Sequence, residues 1–146
     1  MPGIIVGIDG SAHSLKALKW AVIEAGVRRE PLTVLTVNQA VSGYWGHILV
    51  YPGDTELTEK ARKLAQDETD SLLDEIDDEA KPPAVTVRAI SGLPAEELVN
   101  ASADANLIVV GSRGAGGFKR LVLGSVSTSL THHAHCPVVV VPADAH

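Results

Sequence analysis

Leu107-Ile108-Val109-Val110-Gly111-Ser112-Arg113-Gly114, followed after nine residues by Gly124-Ser125, is the stretch that decides how this chain folds. Its four aliphatic residues read as a strand buried on both faces, the habit of a parallel sheet. The run from Ser125 to His133 reads as a helix. The glycines therefore lie where a strand hands over to a helix. Gly111 and Gly114 let backbone N–H groups approach an anion with no Cβ in the way. Gly124 and Ser125 add the free amides of a helix start and a hydroxyl. Any one of these glycines reads as a turn former; the set at this spacing suits phosphate. It is not a Walker A loop, because Gly117 stands where the lysine after the second glycine would be. Nor is it the dinucleotide fingerprint, which belongs after the first strand, where only Gly7-Ile8-Asp9-Gly10 is found.

Outward from this stretch, four more aliphatic runs read as strands: Ile4–Ile8, Leu32–Val37, Val85–Ile90 and Pro137–Val141. Helical patterns fill the gaps. Ser14 to Val27 repeats Leu15, Leu18, Val22 and Ala25, with Ser11 or Ser14 as cap. Thr58 to Glu79 sets Ala61, Leu64, Ala65, Leu72, Leu73 and Ile76 against an acidic face. Pro94 to Ser102 opens with proline, Glu96 and Glu97, a favourable first turn. Lys81-Pro82-Pro83 separates the acidic helix from the third strand. Strand–helix alternation throughout predicts an α/β fold: one doubly wound, Rossmann-like domain over residues 1–146, with a five-stranded parallel sheet and four helices. Periodicity alone does not fix the order of the strands; with an order of 3-2-1-4-5, the ligand crevice lies beyond the ends of the first and fourth strands, at Asp9 and Gly111.

At 146 residues, 45% hydrophobic and 21% charged, the chain has the make-up of one globular domain. A net charge of −6 argues against general affinity for nucleic acid or an anionic membrane. Eleven of the eighteen acids fall between Asp54 and Glu79, and none lies between Asp104 and Asp144. The glycine segment carries Arg113, Lys119 and Arg120 instead, as a local anion site would. Cys136 is the only cysteine, so no intrachain disulfide forms and a reducing compartment is expected. No signal peptide and no membrane-length apolar stretch is read, and a cytoplasmic location is expected.

The spacing G-x-x-G, nine residues, G-S resembles the nucleotide-binding motif of the universal stress protein family. Ile5-Val6-Gly7-Ile8-Asp9-Gly10-Ser11 looks like that family's first strand and turn. Val109 to Gly114, Leu123-Gly124-Ser125-Val126-Ser127 and Cys136-Pro137-Val138-Val139-Val140-Val141 look like its final third. The resemblance covers nearly the whole chain and follows the pattern of the ATP-binding branch. It implies the sheet order 3-2-1-4-5 and, usually, a homodimer. It also implies an adenine nucleotide, with ATP and Mg²⁺ as cofactors, held by Asp9, Val37, Gly111, Arg113, Gly114, Gly124, Ser125, Val126 and Ser127. In that scheme Asp9 lies near the ribose or the metal–phosphate unit, and the Val37 backbone contacts adenine.

Each of these residues has a plainer reading too. Asp9-Gly10-Ser11 is a good turn and cap sequence, and Val37 is a strand valine in either case. Ser125 is a natural N-cap and Ser127 a first-turn polar residue, roles that use the same amides as phosphate binding. Arg113, Lys119 and Arg120 are cations of a kind that usually stays solvated. His132, His133, His135 and Cys136 are not expected to bind metal: a strand should begin at Cys136, and histidines suit a helix C-terminus. Gln39 to Asp54 holds Tyr44, Trp45 and Tyr51, three of the five aromatics, and reads as a nucleotide cover, a partner surface or an ordered loop. The valines Val138 to Val141 form an unguarded edge that a second copy would cover.

A regulatory ATP-binding module without enzymatic activity is the function expected, its nucleotide biasing loop or dimer conformation for an unidentified downstream protein partner. A slow Mg-dependent ATPase and a sensor of AMP or cyclic AMP are the alternatives. No G-x-S-x-G elbow and no Ser-Gly-Gly-x-Asp-Ser loop is present. Asp9 is the one acid placed at the crevice.

Overall fold

A computed structural model describes residues 3–39, 41–42, 48–49, 55–112 and 124–142. Strand β1 (Ile4–Ile8) leads into helix α1 (Ala12–Arg28) and strand β2 (Leu32–Gln39). Two short strands follow, β3 (Val41–Ser42) and β4 (Ile48–Leu49), and then helix α2 (Thr55–Asp74) and strand β5 (Val85–Gly92). Helix α3 (Pro94–Ser102), strand β6 (Leu107–Gly111), helix α4 (Ser125–His133) and strand β7 (Val138–Val141) complete the chain. The main sheet has the order β5-β2-β1-β6-β7 and is parallel throughout, which is 3-2-1-4-5 counted over its own strands.

Two apolar layers hold the sheet. On one face Ile4, Val6, Ile8, Leu32, Val34, Leu107 and Val109 pack against α1 and Ala65 of α2. On the other, Leu35, Ile108 and Val110 meet Leu98 of α3 and Leu130 of α4. The period-2 alternation of each strand sorts its residues between the layers.

Helix α1 is capped by Ser11, whose side chain accepts from the Ser14 amide at 3.2 Å. Ser14 itself is buried in the first turn. The helix stops at Arg29, which takes the left-handed conformation at φ 57° and so closes the last turn. Helix α2 starts three residues before the expected Thr58 and ends at Asp74 instead of Glu79; a separate 3-10 turn holds Asp78–Ala80. Its last turn has no basic residue, and the carboxylates that follow oppose the negative end of the helix dipole. Its expected apolar face needs one correction. Leu64 is 65% exposed, while Thr69 is buried and donates its hydroxyl to the Ala65 carbonyl at 2.7 Å.

The segment expected as a loop from Gln39 to Asp54 contains the antiparallel pair β3–β4, with Val41 opposite Leu49 and Ser42 opposite Ile48. Tyr44, Trp45 and Tyr51 lie outside the described residues. The two sheet edges differ. Along β5 exposed Thr86, Arg88 and Ser91 alternate with half-buried neighbours, whereas all four valines of β7 are half-buried.

Candidate functional site

The carboxyl ends of β2, β1 and β6 bring the predicted residues to one edge of the sheet. Ile8 lies opposite Thr36, so Asp9 stands level with Val37. Val6 lies opposite Val109, and the same register carried onward sets Asp9 level with Ser112. Adjacent strands are about 4.8 Å apart, so Asp9 occupies the middle of a row with Val37 on one side and the end of β6 on the other.

Asp9 is exposed, and its Oδ1 accepts from the Ser11 amide at 3.0 Å and the Ser11 hydroxyl at 2.6 Å. Its own amide donates to Ser14 Oγ at 3.2 Å. Gly10 turns the chain at φ +84°, a left-handed conformation that glycine takes without Cβ strain. Glu68 of α2 is half-buried and lies within reach of the Asp9 charge. Burial, and then the nearby charge of Asp9, push the Glu68 carboxyl above its ordinary range. Nothing in the sequence flagged Glu68, one of many acids on an acidic helix.

The end of β6 is bound on two sides. The Ser112 amide donates to the Val141 carbonyl at 2.9 Å, and the Ser112 carbonyl accepts from the Gly124 amide at 2.7 Å. Ser127 is buried, and its hydroxyl donates to the carbonyls of Ser112 at 3.2 Å and Gly124 at 3.1 Å. Gly124 is the N-cap residue of α4 and supplies no side-chain cap bond. The first amides of α4, those of Ser125, Val126 and Ser127, are therefore the donors that a helix start leaves over. Ser125 is exposed, and Val126 is half-buried against the α3–α4 layer. Chemically this is a concentration of N–H donors at the positive end of a helix dipole, beside the end of a strand.

Asp9, Val37 and Gly111 thus share one edge, with Gly124, Ser125, Val126 and Ser127 tied to it through Ser112. Arg113 and Gly114, with Lys119 and Arg120, lie outside the described residues. His132 and His133 end α4 with their rings 6.1 Å apart, edge to face. Among the described residues no group of three or more His, Cys, Asp and Glu could hold a metal ion. The Cys136 thiol is half-buried, and burial raises its pKa. Among the described residues no helix is long and apolar enough to cross a membrane.

The sequence matches the model of the universal stress protein family over residues 2–142. It is 34% identical over 139 residues to the universal stress protein Rv2623 of Mycobacterium tuberculosis (strain ATCC 25618 / H37Rv), an alignment covering 95% of this chain and 47% of that protein. The chain therefore spans about half the length of the curated relatives it matches. Among solved structures, the universal stress protein UspA from Lactobacillus plantarum superposes with a TM-score of 0.71 at 24% identity, over 96% of this chain and 97% of that one. A universal stress protein in complex with cAMP superposes with a TM-score of 0.68 at 23% identity, over 98% of both chains.

Proposed function

Because the chain belongs to the universal stress protein family, we propose that it is an ATP-binding regulatory module of the stress response. One observation carries the reading: the start of α4, which has no side-chain cap, is hydrogen-bonded against the end of β6 on the sheet edge that holds Asp9 and Val37. In this reading the phosphates take the first amides of α4 and the backbone at Gly111, Gly114 and Gly124, with Arg113 adding charge. Asp9 accepts from the ribose hydroxyls, and the Val37 backbone meets adenine. Mg²⁺ accompanies the phosphates; such a cation needs one or two carboxylates at most from the protein, and Asp9 would supply one if it meets the metal–phosphate unit instead of the ribose.

The module is regulatory and acts in the cytoplasm. Asp9 is the one acid assigned a ligand contact, with Glu68 acting on it only through charge, and the bound nucleotide biases loop or dimer conformation for a downstream partner. The dimer forms through β7, whose half-buried valines a second copy would cover by strand pairing. Val139→Lys should then lower the mass measured by light scattering from dimer to monomer, and an unchanged mass would move the interface elsewhere.

The cAMP complex of a structural neighbour favours one other reading, a cyclic-AMP sensor on the same fold. Calorimetric titration of nucleotide-stripped protein with Mg-ATP, competed with AMP and cyclic AMP, separates the two. Saturable Mg-ATP binding near one per chain is expected, and Gly114→Val should abolish it. Preference for cyclic AMP would replace ATP as the ligand. No binding at all would return the glycines to a structural role.

A further inference from the structure

The proposed site engages the base only through the backbone of Val37, which leaves open how one purine is told from another. One residue further along β2, at the same sheet edge, lies a polar cluster that the phosphate, ribose and Val37 contacts do not use. Asn38 of β2 is paired with Ser91 of β5. Its Nδ2 approaches the Thr58 hydroxyl of α2 at 3.5 Å, and that hydroxyl is 3.0 Å from the Ser91 hydroxyl. Three elements thus meet in one chain of contacts: Ser91 of β5 touches Thr58 of α2, and Thr58 touches the amide of Asn38, which β2 carries just past Val37. Asn38 and Thr58 are half-buried and Ser91 is exposed, so the cluster is open to a ligand lying over the sheet edge.

The row of strands orders the ligand. With phosphates at β6 and α4, and the ribose over Asp9 of β1, the base falls over β2, about 4.8 Å further along. A carboxamide presents a donor and an acceptor side by side. Adenine offers the complement on its N6/N7 edge, an amino donor beside a ring acceptor, and guanine offers two acceptors there. One N–H of Asn38 can face Thr58 while the other faces N7, because the amide nitrogen carries two hydrogens.

We propose that Asn38, oriented by Thr58 and Ser91, reads the N6/N7 edge of the bound base and sets adenine over guanine. The inference rests on the nucleotide site proposed above. Its test is a titration of the stripped full chain with Mg-ATP, Mg-GTP and Mg-7-deaza-ATP, which lacks the N7 acceptor. The native chain should bind ATP at least roughly tenfold more tightly than either competitor, the discrimination that one bidentate base contact supplies. Asn38→Ala should bind ATP and 7-deaza-ATP equally and lose most of the preference over GTP. Thr58→Val, which leaves Asn38 in place but unoriented, should lose part of it.

A native chain that binds ATP and 7-deaza-ATP alike overturns the role of Asn38 and leaves the nucleotide site standing. So does an Asn38→Ala variant that keeps full discrimination. A native chain that binds no nucleotide overturns both. Should Asn38→Ala not fold, the native 7-deaza-ATP comparison and Thr58→Val decide the matter without it.

Discussion

The amide of Gly124 donates to the carbonyl of Ser112 at 2.7 Å, so the two ends of the glycine-rich segment are joined by a backbone hydrogen bond. Buried Ser127 strengthens the joint by donating to both the Ser112 and Gly124 carbonyls. Ser127→Ala removes that hydroxyl and leaves two carbonyls with one partner fewer. The expected cost is about 1 kcal/mol in urea unfolding, the net worth of a buried hydrogen bond, with several-fold weaker Mg-ATP binding as the joint between Ser112 and Gly124 loosens. Ser125→Ala, at an exposed position, should change stability by less than about 0.5 kcal/mol. Equal stability of the Ser127→Ala and native proteins would show that the joint does not depend on the hydroxyl.

Asp9 has two separable tasks. Its carboxylate holds the turn by accepting from the Ser11 amide and hydroxyl, and in the proposed function it also meets the ribose or the metal–phosphate unit. Asp9→Asn keeps a carbonyl acceptor for Ser11 but loses the charge; Asp9→Ala loses both. Unfolding should therefore cost Asp9→Ala about 1 kcal/mol and leave Asp9→Asn near native. Calorimetry should find Mg-ATP binding weakened in both. Native affinity in Asp9→Asn would reduce Asp9 to a turn residue. ATP turnover over many equivalents at high purity that vanishes in Asp9→Ala would instead make the chain an enzyme.

Much of this arrangement could be read before any coordinates. The five aliphatic runs became the five strands of the main sheet because a parallel strand covered on both faces must be apolar along its whole length. Asp9 and Gly111 meet at one crevice only once the strand order is known, and that order is implied by the family resemblance, since periodicity alone does not fix it. What escaped was set by contacts between elements. Leu64 satisfied a helical period yet faces solvent, since buried Thr69, with its hydroxyl bonded back to Ala65, occupies the inner face. Asn38, Thr58 and Ser91 are far apart in the chain and ordinary in kind; only the pairing of β2 with β5 and the seat of α2 unite them. The β3–β4 pair has two residues per strand, too few to show a period.

Glu68 gives the site a pH signature. Burial first, and the charge of Asp9 second, raise its folded-state pKa above the ordinary glutamate value. A carboxyl that holds its proton more tightly when folded loses stability as pH rises from the unfolded pKa, ~4.3, through the folded one. Above that window the penalty is fully present; below it there is none. Glu68→Gln should therefore be more stable than the native chain at pH 7, with the difference shrinking to nothing below about pH 4. Urea midpoints measured across this range test it. A difference that stays constant with pH would mean that the gain comes from packing instead of charge. Asp9→Asn should bring the Glu68 titration, followed by NMR, part of the way back toward its ordinary range.

Gly26 sets helix propensity against packing. It lies in the buried stripe of α1, where alanine would ordinarily favour the helix by about 1 kcal/mol. A Cβ at this position would meet the Ala80 carbonyl oxygen, with the Ala80 carbonyl carbon at 3.2 Å. Ala80 closes the 3-10 turn after α2, and a backbone carbonyl cannot rotate aside as a side chain can. Relieving the overlap means moving the turn away from α1, and overpacking of this sort costs about 1–3 kcal/mol. Packing should win, leaving Gly26→Ala less stable by about 1 kcal/mol in urea unfolding. Gly26 is fourteen residues past Ala12, about 21 Å down the helix from the Asp9 end, so Mg-ATP affinity should not change. A stabilised Gly26→Ala would mean that the turn yields freely and that α1 and the Asp78–Ala80 turn are not rigidly packed. A destabilised variant with weakened nucleotide binding would mean that strain at the foot of α1 reaches Asp9 through the helix.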